Sequence, residues 1–530
     1  MRALLVTSVG VTCAAALTLP LATPAASAPA PHSASALPPS TSPASPGAGP
    51  PSAQDEATTR EAPASDTSET QPRQAESAAE PAGSTQSLPL APLATLSDRV
   101  AGAAVAQGLP QRDARPFSLV GVVWDDAEAE LHGTVQVRTR ATGTTRWSDW
   151  QDVETHNAEH AADLGSAERE GRTVRGSTAP LWVGDSDGVE VRVRPEAPDP
   201  QDRAATPVPL PEGMRLELVD PGEGPGEGPG EGPGEGLGEN PGEGSAESTG
   251  EDSAPEPVRG APAGRAAAVP ARFADTPSAA AALPEVLTAE IAAASAVNAE
   301  LAELGATVIP ALTQAETLES VNLAPGAKPY IGPRPKIVTR KGWGADEKLR
   351  EKNFGYSKTV KAAFVHHSAT GNNYTCKQAP SVLRSIYRYH VKSSGWRDFG
   401  YNFAVDKCGN IYEGRAGGVT KAVLGAHTLG FNTNTMGIAV LGSYTSTNPP
   451  AAAVTAVSKL TAWKLGLFGR NPKGKITLVS GGSNKYQAGV KVKMNVISGH
   501  RDGFATECPG ARLYKKLGKA RTSSAKLQGR

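Results

Sequence analysis

The sequence predicts an α/β fold for its last 200 residues, a mixed β-sheet flanked by helices, with an all-β domain before it. Three observations support this prediction. Strand and helix patterns alternate after residue 331, strand patterns alone fill residues 111–220, and Gly, Pro, Ala and Ser dominate most of the remainder. The 530-residue chain is therefore predicted to hold two folded domains, preceded and joined by disordered segments.

The first 28 residues have the pattern of a secretory signal peptide. Arg2 precedes an apolar run, and the small residues at positions 26–28 suit a cleavage site. No later apolar run is long enough to span a membrane. We therefore expect a secreted protein without a transmembrane segment, which continues with a disordered Pro-, Ala- and Ser-rich segment over residues 29–110.

Residues 111–220 are predicted to form a β-sandwich-like domain. Runs such as FSLVGVVW, GTVQVRTR and GVEVRVR alternate apolar with polar residues, and turn residues separate them. An acidic linker follows over residues 221–330 and opens with a Pro-Gly-Glu-Gly repeat, which disfavours regular structure. Within it, residues 283–304 have a weak helical pattern with an alanine-rich face. The sequence assigns no function to the β-domain.

The charge of the chain is divided between its two parts. From Lys336 onward there are 32 basic and 8 acidic residues, whereas the first 335 residues carry 21 basic and 46 acidic ones. A secreted domain this basic is expected to bind polyanions, and its positive charge would attract anionic wall polymers and nucleic acid alike. Secretion, and the lack of aromatic residues interleaved with basic ones, argue against nucleic acid.

The predicted α/β domain covers residues 331–520 and leaves a basic tail over 521–530. Its helix APSVLRSIYRYHVKSS has Val382, Ile386 and Tyr389 on one face. A second helix is predicted in AAAVTAVSKLTAWKLGLFG. The predicted strands are AAFVHH, a hairpin in YNFAVDKCGNIYEGR that turns at Cys-Gly-Asn, MGIAVLGSY, and MNVISGH, which ends at His500.

The segment His500-Arg501-Asp502 has the letters of a kinase catalytic loop, but no Asp-Phe-Gly follows and position 507 is Glu instead of Asn. A metal site fits better. One histidine of the His366-His367 pair, His500 and Cys508 would give Zn²⁺ three ligands and leave a fourth position for water. Two alternatives stay open from the residues alone: purely structural histidines, and a Cys508 nucleophile with His500 as its base.

Cysteine pairing is left open by the sequence. Removal of the signal peptide leaves Cys376, Cys408 and Cys508, an odd number for an exported protein. Cys376 and Cys408 flank one compact segment and are the preferred disulfide pair, which leaves Cys508 as a thiolate. Three pairings remain formally available.

Six motifs in order then resemble peptidoglycan recognition proteins and the zinc-dependent, phage-lysozyme-like (type 2) N-acetylmuramoyl-L-alanine amidases. The long form with a β-rich amino-terminal domain is similar to the secreted versions of actinobacteria. The resemblance covers residues 333–517. The motifs are VHHSAT, YHVKSSGWRDFGYNF, DKCGNIYEGRAGG, GAHT, NTMGIAVLGSY and GHRDGFATECPG.

This resemblance implies an amidase that cleaves the bond between the lactyl group of N-acetylmuramic acid and L-alanine of peptidoglycan. It implies that His366, His500 and Cys508 are the Zn²⁺ ligands. Tyr401 and Thr506 are implied to assist catalysis, Thr506 by stabilising the oxyanion. Family members that only bind peptidoglycan typically carry Ser at the position of Cys508.

The resemblance also suggests residues that contact the substrate. The pair Gly395-Trp396 accompanies a preference for diaminopimelate-type stem peptides, and Arg415 is a candidate clamp for a carboxylate. His390 is a candidate contact to peptide or sugar, and His367 and His427 are candidates to line the groove. The competing function is a secreted wall-binding protein without catalysis, which the basic surface and long linker would also suit.

Overall fold

The structure of the protein is a computed structural model. It describes residues 83–93, 105–155, 157, 160–197, 208–225, 287–321, 329–353 and 355–530. The predicted signal peptide, most of the predicted disordered segment 29–110 and the Pro-Gly-Glu-Gly repeat beyond residue 225 lie outside the described residues. Within the described ranges, no helix is both long enough and apolar enough to cross a bilayer.

The amino-terminal domain is an antiparallel β-sheet, which confirms the all-β prediction. In the described part of the chain its eight strands pair in the order β1-β8-β3-β7-β4-β5, and β2 and β6 both pair with β3. These strands are β1 (Ser84–Pro89), β2 (Ala91–Pro92), β3 (Gln107–Trp124), β4 (Gly133–Ala141), β5 (Gln151–Val153), β6 (Gly176–Ser177), β7 (Leu181–Pro195) and β8 (Arg215–Asp220).

Strand β3 is buried on both faces over its last eight residues. Val120 and Val122 belong to the core of the β-domain itself. Leu119 and Val123, on the opposite face, pack into the core of the second domain, together with Tyr389. This double burial explains why FSLVGVVW is a continuous apolar run without strict alternation. It also fixes how the two domains meet.

The second domain has a mixed sheet, as the sequence predicts. Among the described residues, seven strands pair in the order β17-β11-β14-β12-β13-β10-β9. Neighbours β17, β11, β14 and β12 are mutually parallel, whereas β12 and β13 form the antiparallel hairpin that turns at Cys408-Gly409-Asn410. These strands are β9 (Val308–Ile309), β10 (Ile337–Val338), β11 (Ala362–His367), β12 (Phe403–Val405), β13 (Ile411–Glu413), β14 (Thr435–Val440) and β17 (Ile497–Gly499), and a separate hairpin contains β15 (Lys475–Val479) and β16 (Lys491–Asn495).

Helices cover both faces of this mixed sheet. The helices are α1 (Ala289–Ala296), α2 (Gln314–Glu319), α3 (Ala379–Arg388), α4 (Ala451–Leu467) and α5 (Ala511–Leu527). On one face, Val382 and Ile386 of α3 pack with Ala439 of β14 and with β3 of the first domain. On the other face, α4 and α5 pack together over Val365 and Ile438. The side chains that the sequence predicts on one face of α3 are buried there, as expected.

Three predicted domain boundaries differ from the structure. Strand β1 and the start of β3 lie before residue 111. β1 contains no aromatic residue, but it belongs to the β-domain because it pairs along its whole length with β8. The end of the predicted linker 221–330 belongs to the second domain, since β9 pairs with β10 and Asn298 donates to Glu413 at 2.8 Å. Most of the predicted tail 521–530 continues helix α5, whose buried Ala525 anchors it.

Lys464 on α4 generates a pH-dependent stability. Its side chain is buried, and its Nζ donates to the carbonyl oxygens of Val419 and Lys421, both at 2.6 Å. Burial, together with the charge of Lys421, lowers the pKa of Lys464 to about 7. A neutral amine keeps two N–H donors and can therefore make both hydrogen bonds.

We expect the free energy of unfolding to rise with pH above 7, because the unfolded chain then binds more protons than the folded one. From pH 7 to pH 9 the contribution of Lys464 is about 2 kcal/mol. Lys464→Met should remove this rise, and Lys459→Met, at an exposed position of the same helix, should keep it. Denaturant unfolding at several pH values measures both. An unchanged pH dependence in Lys464→Met would contradict the assignment.

Candidate metal centre

Two parallel strands bring the first two donors of a candidate metal site together. β11 ends at His366-His367, and β17 ends just before His500, which opens a short 3₁₀ turn. Val365 and Gly499 are register partners, so both strands deliver the next side chain at the same edge of the sheet. The ring centroids of His366 and His500 are 4.5 Å apart.

Cys508 enters from the loop that follows His500. The backbone N–H of Arg501 donates to the carbonyl oxygen of Cys508 at 3.0 Å, which folds the loop back over the strand end. The thiol Sγ then lies 3.8 Å from Nδ1 of His366. The structure thus brings together all three residues that the sequence predicts as metal ligands.

A fourth donor, His160, comes from the β-domain and was not predicted. Its Nε2 lies 3.6 Å from Sγ of Cys508, and its ring centroid lies 4.5 Å from that of His500. The donor atoms of His160, His366, His500 and Cys508 all lie within 4.8 Å of one another, and all four residues are buried. The sequence has no signal for this contact, since 348 positions separate His160 from Cys508 and no motif connects them.

The donor set fits zinc. Three imidazoles and one thiolate are ligands that zinc prefers, and tetrahedral bonds of 2.0–2.3 Å separate the donor atoms by about 3.3–3.8 Å. The Sγ contacts to His160 and His366, at 3.6 and 3.8 Å, match that separation. Burial lowers the pKa of His160 to about 3 and moves the pKa of His366 well below its usual value. Both rings are therefore neutral, as ligation requires.

Hydrogen bonds around Thr428 orient the first ligand. Its Oγ1 lies 3.5 Å from Nε2 of His366 and 3.0 Å from Nδ1 of His427. The backbone N–H groups of His427 and Thr428 both donate to Oδ1 of Asn432. An outer partner on Nε2 leaves Nδ1 of His366 facing the other donors. His427, predicted to line the groove, lies in this supporting layer.

The two predicted catalytic residues lie near the four donors. Tyr401, just before β12, is buried, and its ring centroid is 5.3 Å from that of His366 and 5.8 Å from that of His160. Thr506 is half-buried, and its Oγ1 accepts from the backbone N–H of Cys508 at 3.1 Å. Thr506 therefore also shapes the loop that presents the thiol.

The predicted substrate contacts fall into separate environments. His390 and Trp396 stack with ring centroids 4.3 Å apart, and Nδ1 of His390 accepts from the backbone N–H of Gly400. Burial lowers the pKa of His390 to about 3. Arg415 is buried and forms a salt bridge with Glu168 of the β-domain.

His367 lies apart from the cluster of donors. Because side chains alternate along a strand, it is on the face of β11 opposite to His366, where its Nδ1 accepts from the backbone N–H of Tyr444 at 3.3 Å. The remaining cysteines, Cys376 and Cys408, form a disulfide with a Cα–Cα distance of 6.2 Å, which joins the segment before α3 to the β12–β13 turn.

Comparisons with known proteins follow this geometry. Residues 356–511 match the family profile described as N-acetylmuramoyl-L-alanine amidase. Peptidoglycan-recognition protein SC2 of Drosophila simulans is 30% identical over 183 residues, which cover 34% of this chain and 84% of that protein. The chain belongs to the family of peptidoglycan-recognition proteins and N-acetylmuramoyl-L-alanine amidases.

Other members of this family extend the comparison. The human N-acetylmuramoyl-L-alanine amidase is 31% identical over 192 residues, which cover 34% of this chain and 28% of the human protein. The solved structure of wild-type Drosophila PGRP-LB is 26% identical, with a TM-score of 0.27 over 34% of this chain and 91% of that one. Residues 63–210 match a second profile, described as Rv3811 N-terminal galactose-binding domain-like.

Thr428→Val tests the supporting layer of this amidase-family site. The substitution removes the oxygen that faces Nε2 of His366, so we expect zinc affinity to fall about tenfold, as when an outer partner of a ligand is lost. Competition with a chromophoric chelator measures this affinity. Thr455→Val, at an exposed position of α4, is the matched control. Equal affinities in the two variants would show that Thr428 does not orient the ligand.

Proposed function

We propose that the protein is a secreted, zinc-dependent N-acetylmuramoyl-L-alanine amidase. Its reaction is hydrolysis of the amide between the lactyl group of N-acetylmuramic acid and L-alanine of the stem peptide. The observation that carries this proposal is the buried convergence of His366, His500 and Cys508 at the end of the mixed sheet. Membership of the amidase family supports the reaction class.

The metal ligands have distinct roles in this reaction. Zinc held by His366, His500 and Cys508 would supply a Lewis acid for the amide carbonyl and a nucleophilic water at neutral pH. Cys508 contributes the negative charge of its thiolate, while the neutral imidazoles contribute none. Thr428 keeps His366 in the tautomer that directs Nδ1 towards the other donors.

Tyr401 and Thr506 are suited to stabilise the charge that develops on the carbonyl oxygen. A preorganised hydroxyl in a water-poor site donates to an oxyanion without reorganisation at the moment of reaction. The ring of Tyr401 lies 5.3 Å from that of His366. The backbone N–H of Cys508 donates to the hydroxyl oxygen of Thr506 at 3.1 Å, which holds this hydroxyl next to the thiol ligand.

Arg415 supports a preference for diaminopimelate-type stem peptides. Diaminopimelate differs from lysine by one carboxylate, and a guanidinium binds carboxylates through two parallel N–H donors. The salt bridge of Arg415 with the Glu168 carboxylate supports this affinity. Gly395, Trp396 and His390 are proposed to flank the same part of the peptide, because His390 stacks on Trp396.

Secretion and wall binding complete the proposal. The signal-peptide pattern of the first 28 residues supports export. The 32 basic against 8 acidic residues from Lys336 onward support attraction to anionic wall polymers beside peptidoglycan itself. Export also argues against nucleic acid as the partner of this basic domain.

A second candidate function is peptidoglycan binding without hydrolysis. One observation favours it: His160 adds a fourth donor where hydrolytic zinc sites keep an open position for water. The assay that follows therefore uses two proteins, the chain with its signal peptide removed and the same chain with His160→Ala.

The decisive assay incubates each zinc-loaded protein with diaminopimelate-type peptidoglycan. We expect new alanine amino termini together with peptide-free, intact glycan from at least one of the two proteins. Cys508→Ser should abolish this release in both backgrounds. Its zinc affinity should fall by more than the roughly 100-fold loss that removal of a hydrogen-bond partner of a ligand can cause.

Ala505→Ser is the matched control, since it places the same side chain at an exposed position of the same loop. It should leave zinc content and product release as they were. If neither the wild type nor His160→Ala releases alanine termini while both bind the wall and hold zinc, the protein is a binding protein and the amidase proposal fails.

A further inference from the structure

The fourth donor of the metal site is delivered by a segment that we call the strap, residues 160–175 of the β-domain. The strap runs between β5 and β6. It consists of turns and bends, and Gly165 and Gly171 have positive φ values of 66° and 68°. It is thus a long connection whose course is set by its contacts and not by a strand or helix of its own.

The strap covers the surface where the stem peptide is proposed to bind. The carboxylate of Glu168 forms the salt bridge with Arg415. The guanidinium of Arg172 donates to the carbonyl oxygens of Gly395 and Trp396, at 3.2 and 2.7 Å. A Cβ atom at Gly395 would lie only 2.2 Å from the carbonyl oxygen of Thr173. The strap therefore lies directly on the pair that is linked to stem-peptide preference.

Both ends of the strap are anchored by polar contacts. Oδ1 of Asp163 accepts from the backbone N–H of Gly430 and from Nδ2 of Asn432, both at 2.7 Å. Asn432 is the residue that also binds the backbone of His427 and Thr428 behind the first zinc ligand. The start of the strap is thereby connected to the support of the metal site.

At its far end, the strap is held by Arg397 of the second domain. Nε of Arg397 donates to the carbonyl oxygen of Glu168 at 2.9 Å, and its Nη2 donates to that of Glu170 at 2.8 Å. Glu351 accepts from both Arg172 and Arg397. These contacts are hydrogen bonds and ion pairs. Water can replace them when they break, so each contributes little net stability.

The strap is separate from the apolar contact between the domains. That contact is made by Leu119 and Val123 of β3 against Tyr389. Beside it, the backbone N–H of Trp182 donates to the carbonyl oxygen of Thr370. The outer side of the strap is exposed, with Leu164 at 52%. Withdrawal of the strap would therefore leave this apolar contact in place.

We propose that the strap holds the enzyme latent, with His160 as the fourth zinc ligand and the Glu168 carboxylate in the position of a stem-peptide carboxylate on Arg415. The coordination half of this proposal, His160 as a ligand, concerns the metal alone. The groove half, Glu168 on Arg415, rests on the proposed amidase function. Withdrawal of the strap opens one coordination position and the peptide groove together. A single movement thus couples the metal site to substrate access.

Cobalt substitution tests the coordination directly on the full chain. Co²⁺ replaces zinc, and its visible spectrum reports coordination. Azide serves as the probe for an open position. We expect azide to change the spectrum of His160→Ala and to leave that of the wild type unchanged. His132→Ala, at an exposed histidine of the same domain, should behave as the wild type.

The coordination half is overturned if azide changes the wild-type spectrum as much as that of His160→Ala, or if the two spectra are identical without azide. Neither outcome depends on peptidoglycan hydrolysis, so the result stands whether or not the protein proves to be an amidase. Circular dichroism of each variant confirms that the β-domain remains folded.

The groove half is tested by peptide binding without turnover. In a Cys508→Ser background, calorimetry measures binding of a diaminopimelate-type muramyl tripeptide. Glu168→Gln should increase its affinity at least about tenfold, because a site closed by its own chain binds in proportion to its open fraction. Glu190→Gln, which removes a partner of Arg138 within the β-sheet and touches no strap residue, is the matched control.

Equal affinities for Glu168→Gln and Glu190→Gln would overturn the groove half. If the tripeptide binds none of the variants, the proposed substrate is wrong, and the groove half falls with it while the cobalt result still decides the coordination. If alanine release is equal in the wild type and His160→Ala, latency is wrong although the amidase function holds.

Discussion

Burial of four metal-binding donors at the end of one sheet is the constraint on which the rest of the structure depends. A thiolate and three imidazoles are buried within 4.8 Å of one another, and a buried thiolate is costly without a cation. The parallel pairing of β11 with β17 sets two of these donors side by side. The loop after His500 and the strap supply the other two.

The domain interface is the second constraint, and it depends on strand β3. β3 is buried on both faces, so the β-domain cannot expose it without loss of two cores at once. Gly121 lies against Tyr389 so closely that a Cβ atom would lie 2.4 Å from the tyrosine hydroxyl. β6 pairs with β3 and follows residue 175 directly, so this contact positions the end of the strap, which consists of turns and bends. A fixed interface together with a polar strap fits the proposal that the β-domain closes the metal site of the second domain.

Much of the carboxy-terminal domain is predictable from the sequence because its information is local. Strand patterns place His366 and His500 at the ends of two apolar strands, and the family resemblance of the closing motif adds Cys508 to them. His160 could not be predicted, since it lies in a turn of another domain whose docking depends on shape. The helical segment near Asn298 was assigned to the linker because its alanine face is weak, although a buried hydrogen bond to Glu413 ties it to the sheet.

X-ray absorption at the zinc edge of the purified full chain would test the central claim most directly, since it counts the ligand atoms without reference to activity. The account predicts one sulfur at about 2.3 Å and three nitrogens at about 2.0–2.1 Å around each zinc. His160→Ala should then replace one nitrogen by an oxygen. A wild-type zinc with one sulfur, two imidazole nitrogens and a water oxygen would contradict the account, because His160 would then lie beside the metal without binding it.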